Sequence, residues 1–313
     1  EIILCTCSAS GADRIVDLCD NIQQVIVDEC GMCFEPETLV PITCARAKQV
    51  VLIGDHKQLQ PIIKDNDAKR LGLEISMFER YAKKAIMLKE QYRMHAEICH
   101  FPSEQFYDKL LLTSATVALR TPSPVDFWPA QVLHRKDVPR VFCHVEGCEK
   151  SSVIKTQYSN HGSKSNEKEA NKAVHVAKVL VNKYAVNHGD VVILTPYRQQ
   201  QVLIKEGLHA PYDDIQVSTI IKSQGSEWDY VILSLVRSLP KDEIEAEPSS
   251  KWLGDNLGFL RDEHQINVAL TRARRGLCII GNKNLVELDP TWSALLSHYE
   301  QGETIVDEAW PWN

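Results

Sequence analysis

Two adjacent carboxylates follow a short apolar run in the first part of the sequence. Asp28 and Glu29 come directly after Gln24-Val25-Ile26-Val27. If that run is a strand of a parallel sheet, the pair lies beyond a strand's carboxyl end, where open α/β sheets bind ligands. Asp28 could then hold hydrated Mg²⁺, and Glu29 could accept a proton from an attacking water. The alternative is an acidic first helical turn, the commoner role of an isolated Asp-Glu pair.

A glutamine stands in the same relation to the next apolar run. Gly54 follows Gln49-Val50-Val51-Leu52-Ile53, and Gln58 lies four residues further on. Glycine permits a tight exit from a strand, and the Gln58 amide can touch a terminal phosphate and orient water. Alone, this segment could be a polar turn. Together with the two carboxylates it predicts a nucleotide-hydrolysing site.

Two arginines are candidates for phosphate binding. Arg93 lies in Gln91-Tyr92-Arg93-Met94-His95, where a guanidinium could bind a γ-phosphate and Tyr92 could stack on a base. Arg272 lies in residues 267–276, which we predict to be a helix capped by Gly276 ahead of a strand. It could supply a second phosphate-binding arginine. The alternatives are a surface ion pair for Arg93 and a cation at a helix terminus for Arg272.

Several loop residues carry hydroxyl or backbone groups that suit phosphate or sugar contacts without base selectivity. Glu227, in Lys222-Ser223-Gln224-Gly225-Ser226-Glu227-Trp228, could accept a hydrogen bond from a ribose hydroxyl. At the ends of strands, such residues also commonly satisfy turns. The candidates for contacts to phosphate or sugar are Thr6, Thr195, Pro196, Tyr197, Ser218 and Thr219.

The cysteines do not predict a metal site. Cys30 and Cys33 have ligand spacing, and Cys143, His144 and Cys148 cluster in sequence, but a structural zinc site needs four ligands in two pairs. We therefore expect small buried thiols and no zinc. We treat His95 and His100 as structural or loop residues. Ten scattered cysteines in 313 residues indicate reduced thiols and favour the cytoplasm or nucleus.

The elements that must position these residues form an α/β pattern. Apolar runs without polar alternation are typical of parallel strands buried on both faces. We predict crossover helices over 35–47 and 166–185, and irregular surface loops over 113–165 and 240–255. The first α/β layer ends near Lys84 and the second begins near Ile86. The predicted strands are 1–7, 24–28, 49–55, 191–195, 216–220, 230–234 and 276–281.

Composition sets the remaining limits. At 313 residues, two domains are expected. No window approaches the ~18 apolar residues of a membrane span. With 35 basic against 42 acidic residues, the net charge of −7 means that nucleic-acid affinity must come from local donors.

The order of these motifs resembles the superfamily 1 helicases of the nonsense-mediated-decay type across nearly the whole chain. The resemblance rests on Asp-Glu, Gly-Asp-His-x-Gln-Leu, Gln-Tyr-Arg-Met-His, Thr-Pro-Tyr, Gln-Gly-x-Glu and Asn-Val-Ala-Leu-Thr-Arg-Ala-Arg. Within that group, residues 28–32 and 222–228 look most like the large helicase-with-zinc-finger proteins, which are described as coactivators. Cys30 departs from the small residue that the family often has there, which should not alter the chemistry.

The resemblance implies two RecA-like lobes, 1–85 and 86–313, with ATP and Mg²⁺ between them and single-stranded RNA or DNA across both. It implies that Asp28 is the Mg²⁺ ligand, Glu29 the general base, Gln58 the γ-phosphate sensor, and Arg93 and Arg272 the arginine fingers. Translocation would run 5′ to 3′. The implied nucleotide contacts are Gln58, Tyr92, Arg93, Gly225, Glu227 and Arg272, and the implied nucleic-acid track is Thr6, Thr195, Pro196, Tyr197, Ser218 and Thr219.

One departure from the family is the phosphate-binding Gly-x-x-x-x-Gly-Lys-Ser/Thr loop, which these 313 residues do not contain. We therefore expect an incomplete first lobe, completed by the remainder of a longer polypeptide, and no ATP turnover by this chain alone. RNA-decay or transcription proteins are the expected partners. The rival hypothesis is a helicase-like scaffold that binds nucleic acid or a transcription partner without turnover. An unrelated metabolic enzyme would leave the two arginines without a role.

Overall fold

The computed structural model describes residues 2–17, 22–120, 138–155 and 160–311. The chain divides into two compact units, Glu1–Met87 and Leu88–Asn313. The boundary predicted from the sequence lies two residues earlier, between residues 85 and 86.

The smaller unit contains a two-stranded parallel sheet and four short helices among its described residues. Val27 of the first strand lies opposite Leu52 of the second, so both strands end at the same edge. The predicted crossover helix is present, and it ends at Arg46 in a left-handed conformation. The elements are α1 Asp13–Val16, β1 Gln24–Val27, α2 Glu35–Ala45, β2 Gln49–Leu52, α3 Asn66–Arg70 and α4 Met77–Arg80.

The predicted strand at residues 1–7 was wrong for the part that the structure describes. Residues 2–6 do not pair with any strand among the described residues, and a 3-10 turn follows at Ser8–Gly11. Ile2 and Leu4 are both exposed. The run is apolar enough for a buried strand, but no described neighbour pairs with it.

The larger unit is built on a six-stranded, all-parallel sheet. From one edge to the other its strands are β12 (Ile305–Val306), β5 (Arg140–His144), β11 (Ala273–Gly281), β10 (Trp228–Ser234), β8 (Val191–Thr195) and β9 (Gln216–Thr219). This confirms the predicted α/β class. The strands of the small sheets in this unit are β3 Glu90–Gln91, β4 Leu112–Thr113, β6 Glu149–Lys155 and β7 Asn160–Asn166. Its helices are α5 Ala96–Phe106, α6 Ala115–Ala118, α7 Glu167–Tyr184, α8 Arg198–Gly207, α9 Ser250–Leu257, α10 Glu263–Leu270, α11 Lys283–Val286 and α12 Pro290–Gln301.

Helix α7 packs on this sheet as its sequence spacing predicted. Its Ala170, Ala173, Ala177 and Leu180 side chains are buried in one cluster with Ile193 and Ile232 of the sheet. Asn166 caps the helix by accepting a hydrogen bond from the Glu169 amide, and Ala185 ends it in a left-handed conformation.

The predicted surface loop at 113–165 was wrong. It contains β5, which lies inside the sheet between β12 and β11, and the antiparallel hairpin of β6 and β7. Val141, Phe142 and Cys143 are fully buried. Residues 121–137 and 156–159 of this stretch lie outside the described residues. The predicted loop at 240–255 is partly helical, because it includes a 3-10 turn at Lys241–Glu243 and most of α9. No helix in the described part of the chain is long and apolar enough to cross a membrane.

Candidate nucleotide and nucleic-acid site

The smaller unit brings the predicted carboxylates and glutamine to one edge of its sheet. Asp28 and Glu29 follow β1, and Gly54 follows β2. A Cβ on Gly54 would lie 2.8 Å from the Gly31 nitrogen, so the two strand exits touch through their backbones. Both carboxylates are exposed, and Glu29 adopts a left-handed conformation with φ of 51°. Asp28 Oδ1 accepts a hydrogen bond from the Glu29 amide at 2.9 Å.

Gln58 is held beside these strand exits by Asp55. The Gln58 Nε2 group donates to Asp55 Oδ2 at 2.8 Å, while Asp55 Oδ1 accepts from the Lys57 amide at 2.9 Å. An oriented amide can position a water or touch a phosphate oxygen. The role of Gln58 as a sensor stays a prediction.

The donor set at this edge fits Mg²⁺ held chiefly by substrate and water. Mg²⁺ often takes only one or two protein carboxylates and completes its octahedron with water and phosphate oxygens. Asp28 offers an exposed carboxylate of this kind. The described residues contain no group of three or more His, Cys, Asp or Glu that could form an all-protein metal cage.

In the larger unit, Arg93 is joined to the loop that follows β9. Its Nε donates to Glu227 Oε2 at 2.5 Å, and its Nη1 donates to the Thr271 carbonyl at 2.9 Å. Burial raises the pKa of Glu227, but the hydrogen bond and charge of Arg93, with Arg274 and Arg120, outweigh it and bring that pKa below its ordinary value. Glu227, predicted to lie near a ribose, is thus an ion-pair partner of a predicted arginine finger.

Arg272 is held more tightly, with only 1% of its surface exposed. Its guanidinium donates to the Val268 carbonyl at 2.9 Å, the Ser226 carbonyl at 3.3 Å and Thr271 Oγ1 at 2.9 Å. The predicted glycine cap was wrong: α10 ends at Leu270, and Gly276 lies within β11 opposite Tyr230. Arg272 therefore stands in the short turn between helix and strand.

The other predicted nucleotide contacts differ in their exposure. Tyr92 is exposed, and a hydrogen bond from its hydroxyl to Glu90 raises its pKa. Gly225 has a φ of 76°, a conformation that favours glycine, and it leads into Ser226, whose carbonyl holds Arg272. An exposed ring at Tyr92 is free to stack on a base.

Most of the predicted nucleic-acid track is less open than the sequence suggests. In the larger unit, Thr195, Tyr197 and Ser218 are buried, whereas Pro196 and Thr219 are partly exposed. Thr195 and Thr219 lie opposite each other at the ends of β8 and β9. In the smaller unit, Thr6 is exposed, and its Oγ1 accepts from the Ala9 amide at 3.2 Å.

Sequence reasoning missed a buried polar network in the larger unit that joins α7, α8 and the end of β10. Glu169 Oε2 accepts from the Val236 amide at 2.7 Å and from Ser234 Oγ at 2.8 Å. Gln200, one turn beyond Tyr197, donates to Ser234 Oγ and to the Asn166 carbonyl at 3.0 Å. Val236 has a φ of 74°, a costly conformation for a β-branched residue. The sequence signal that could have pointed to this network is Asn166, a residue type that favours the N-cap position of a helix.

A second missed element is the support of the Gln-Tyr-Arg segment. Arg120 donates to the Arg93 carbonyl at 2.6 Å and also to the Tyr92 carbonyl. A separate contact that the sequence did not predict joins β10 to β11, where Asp229 lies within ion-pair distance of Arg274 and Arg275, at 2.7 and 3.0 Å. No local motif links positions so far apart in sequence.

The two cysteine pairs considered as metal ligands lie in different units, Cys30 and Cys33 in the smaller and Cys143 and Cys148 in the larger. Burial raises the pKa of Cys33 to about 12 in the smaller unit and that of Cys143 to about 12 in β5. Cys148 is exposed. His95 caps α5 through Nδ1, which accepts from the Glu97 amide at 3.2 Å, and His100 stacks on His298 with ring centroids 5.0 Å apart.

Two family models, each described as an AAA domain, match residues 1–66 and 73–284. The chain belongs to the AAA-domain family. Within that family, the order of its motifs and its relatives place the chain among the superfamily 1 helicases of the nonsense-mediated-decay type.

The relatives of this AAA-domain chain match it nearly end to end. It is 43% identical to the 3'-5' exoribonuclease HELZ2 of Homo sapiens and 35% identical to a regulator of nonsense transcripts 1 homolog of Arabidopsis thaliana. It is 31% identical to the ATP-dependent helicase NAM7 of Saccharomyces cerevisiae. Each match covers 98% of this chain, but only 10%, 23% and 30% of the respective relative.

Among solved structures, the complex of Arterivirus nonstructural protein 10 (helicase) with DNA aligns at a TM-score of 0.40 and 16% identity. That alignment covers 85% of this AAA-domain chain and 41% of the other.

Proposed function

We propose that this chain is the ATPase and translocase part of a longer helicase polypeptide that acts on single-stranded RNA or DNA with ATP and Mg²⁺. The observation that carries the proposal is the pairing of strand ends: Asp28, Glu29 and Gln58 follow two neighbouring parallel strands that end at one edge. That edge is where α/β sheets bind ligands. The family membership supports the same conclusion.

In the proposed reaction, Glu29 takes the proton of the attacking water, and Gln58 holds that water in position. Arg93 and Arg272 stabilise the charge that develops on the transferred phosphoryl group. Asp28 would hold Mg²⁺, which neutralises phosphate charge when bound. In this structure Arg93 donates through Nε to Glu227 and through Nη1 to the Thr271 carbonyl, so it binds phosphate through those atoms only after releasing these partners.

We further propose that an upstream segment of the same polypeptide supplies the missing phosphate-binding loop. That loop's lysine and backbone amides hold the β and γ phosphates. The chain alone should therefore show no Mg²⁺-dependent ATP hydrolysis, and measurable turnover by it would contradict this part of the proposal. From the family resemblance we propose 5′-to-3′ movement, RNA-decay or transcription proteins as partners, and a cytoplasmic or nuclear location.

The test is ATP hydrolysis by a polypeptide extended upstream through a phosphate-binding loop, measured with and without single-stranded RNA. The matched variant is Glu29→Gln, which keeps the side chain's size and removes the base. We expect turnover that RNA stimulates and that Glu29→Gln abolishes. RNA binding without turnover in the unaltered polypeptide would instead support a non-catalytic nucleic-acid scaffold.

A further inference from the structure

Tyr197, predicted to lie on the nucleic-acid track, does not offer its ring to solvent. Only 5% of the residue is exposed, and burial raises its pKa. Its hydroxyl accepts from Arg237 Nη1 at 3.5 Å. Arg237 is itself buried, and it donates to Glu149 Oε2 at 2.8 Å and to the Asp255 carbonyl at 2.6 Å. These contacts fix the Tyr197 ring in place.

Phe259 lies against the Tyr197 ring and is open to solvent. The two ring centroids are 5.6 Å apart, with planes tilted by 51°, and Phe259 is 51% exposed. Tyr197 lies two residues beyond Thr195, the last residue of β8, so the pair lies at the carboxyl end of the larger sheet. Thr219 ends the neighbouring strand opposite Thr195 at the same edge.

The turn that carries Phe259 is anchored on both sides. Gly258 has a φ of 54°, and a Cβ there would lie 2.8 Å from Arg237 Nη1 and 3.0 Å from the Tyr197 hydroxyl. On the other side, Leu260 is buried, and its carbonyl accepts from Trp292 Nε1 at 2.7 Å. The turn is therefore held in one conformation while its aromatic ring remains in water.

Building on the proposed nucleic-acid function, we propose that Phe259 is a base-stacking residue of the larger unit and that Tyr197 supports its ring. Aromatic faces bind the bases of single strands with little sequence preference, because every base has a π-face. A rigid, half-exposed ring loses little conformational entropy on binding. The contact is uncharged, so it needs no basic patch in a chain of net charge −7.

The test is the affinity of the chain for fluorescein-labelled single-stranded oligouridine and oligoadenosine, measured by anisotropy over a range of salt concentrations. We expect Phe259→Ala to bind about tenfold more weakly. The slope of log affinity against log salt should not change, because stacking releases no counterions. Phe259→Leu keeps apolar volume without a π-face and should also weaken binding. Phe259→Trp should retain binding, with its added fluorescence quenched by the oligonucleotide.

The matched control is Tyr81→Ala, which removes another half-exposed ring, 49% exposed, from the smaller unit. Its affinity should stay within about twofold of the unaltered chain. Circular dichroism checks that each variant folds. If Phe259→Ala does not fold, the affinity of Phe259→Leu tests the stacking role in its place. Equal affinities of the unaltered chain and Phe259→Leu would overturn the stacking role alone. No binding by the unaltered chain would overturn the nucleic-acid function, and the stacking role with it.

Discussion

At the scale of single residues, Glu169 couples the larger unit to pH. Its carboxyl is completely buried, and this burial raises its pKa to about 8 from an ordinary value of 4.5, although hydrogen bonds from Val236 and Ser234 oppose the shift. A group whose pKa is higher in the folded state stabilises the fold most at pH values below its unfolded pKa. The contribution of Glu169 is therefore present below about pH 4.5 and is lost as the pH rises towards 8.

We expect the unfolding temperature of the chain to fall more steeply between pH 5 and pH 9 than that of Glu169→Gln. The amide keeps the size and the acceptor for Val236 but cannot ionise. Thermal unfolding followed by circular dichroism across this range measures the difference. Glu167→Gln, on the same helix but exposed, is the control and should follow the unaltered chain. Parallel curves for Glu169→Gln and the unaltered chain would show that Glu169 does not titrate there.

Arg272 should matter for stability as well as for any catalysis. Its guanidinium satisfies two backbone carbonyls and one hydroxyl in a buried turn. We expect Arg272→Ala to lower the free energy of unfolding by about 2–4 kcal/mol, because hydrogen bonds to charged groups are strong and their partners would be left unsatisfied. Arg272→Lys should recover only part, since a lysine lacks the fork that reaches several acceptors.

Urea denaturation measures both Arg272 variants, with Lys205→Ala on the exposed face of α8 as the control. A surface change of this kind should stay within about 0.5 kcal/mol. If Arg272→Ala were as stable as the unaltered chain, the hydrogen bonds of the turn would not stabilise the fold. Any loss of turnover that Arg272→Ala causes in the polypeptide extended upstream could then be assigned to phosphate binding.

At the scale of elements, the position of β5 inside the sheet is testable. Phe142 is fully buried between two neighbouring strands. We expect Phe142→Ala to lower the free energy of unfolding by about 3–5 kcal/mol, the cost of a large cavity in a packed core. Urea denaturation checks this, with exposed Cys148→Ala as the control. A loss below about 0.5 kcal/mol would fit the surface loop predicted from the sequence instead.

The sequence predicted the elements whose signal is long and continuous. The runs of β8, β10 and β11 are apolar on both faces, and α7 keeps a 3.6-residue spacing over five turns. β5 was missed because its five residues begin with Arg140 and end with His144, within a polar stretch. The run at residues 2–6 was mistaken for a strand because pairing depends on a neighbour, which no local pattern reveals.

The same limit applies to the candidate site. Residue types and motif order predicted which side chains are candidates for chemistry. The partners of those side chains come from distant positions: Arg93 and Glu227 are 134 residues apart, and Gln200 and Asn166 are 34 apart. Burial also depends on contacts from distant positions, so the burial of Tyr197 and the exposure of Phe259 could not be predicted from their neighbours in sequence.

At the scale of the whole molecule, the sheets of the two units differ in how far they are covered. β8 and β10 of the larger unit are buried along almost their whole length. In the smaller unit, Ile26, Val50, Val51 and Ile53 are exposed although they are apolar and β-branched. Parallel strands of this composition are normally covered on both faces. We therefore expect this sheet to be extended and covered in the longer polypeptide that we propose.

Hydrogen exchange measures that expectation directly. A sheet of two strands is marginal by itself, so the amides of β1 and β2 should exchange far faster in this chain than those of β8 and β10. In a polypeptide extended upstream through a phosphate-binding loop, exchange in β1 and β2 should slow by at least about tenfold, whereas β8 and β10 should not change. Equal exchange of β1 and β2 in both polypeptides would mean that the upstream segment does not cover this sheet, and the exposed apolar face would then need another partner.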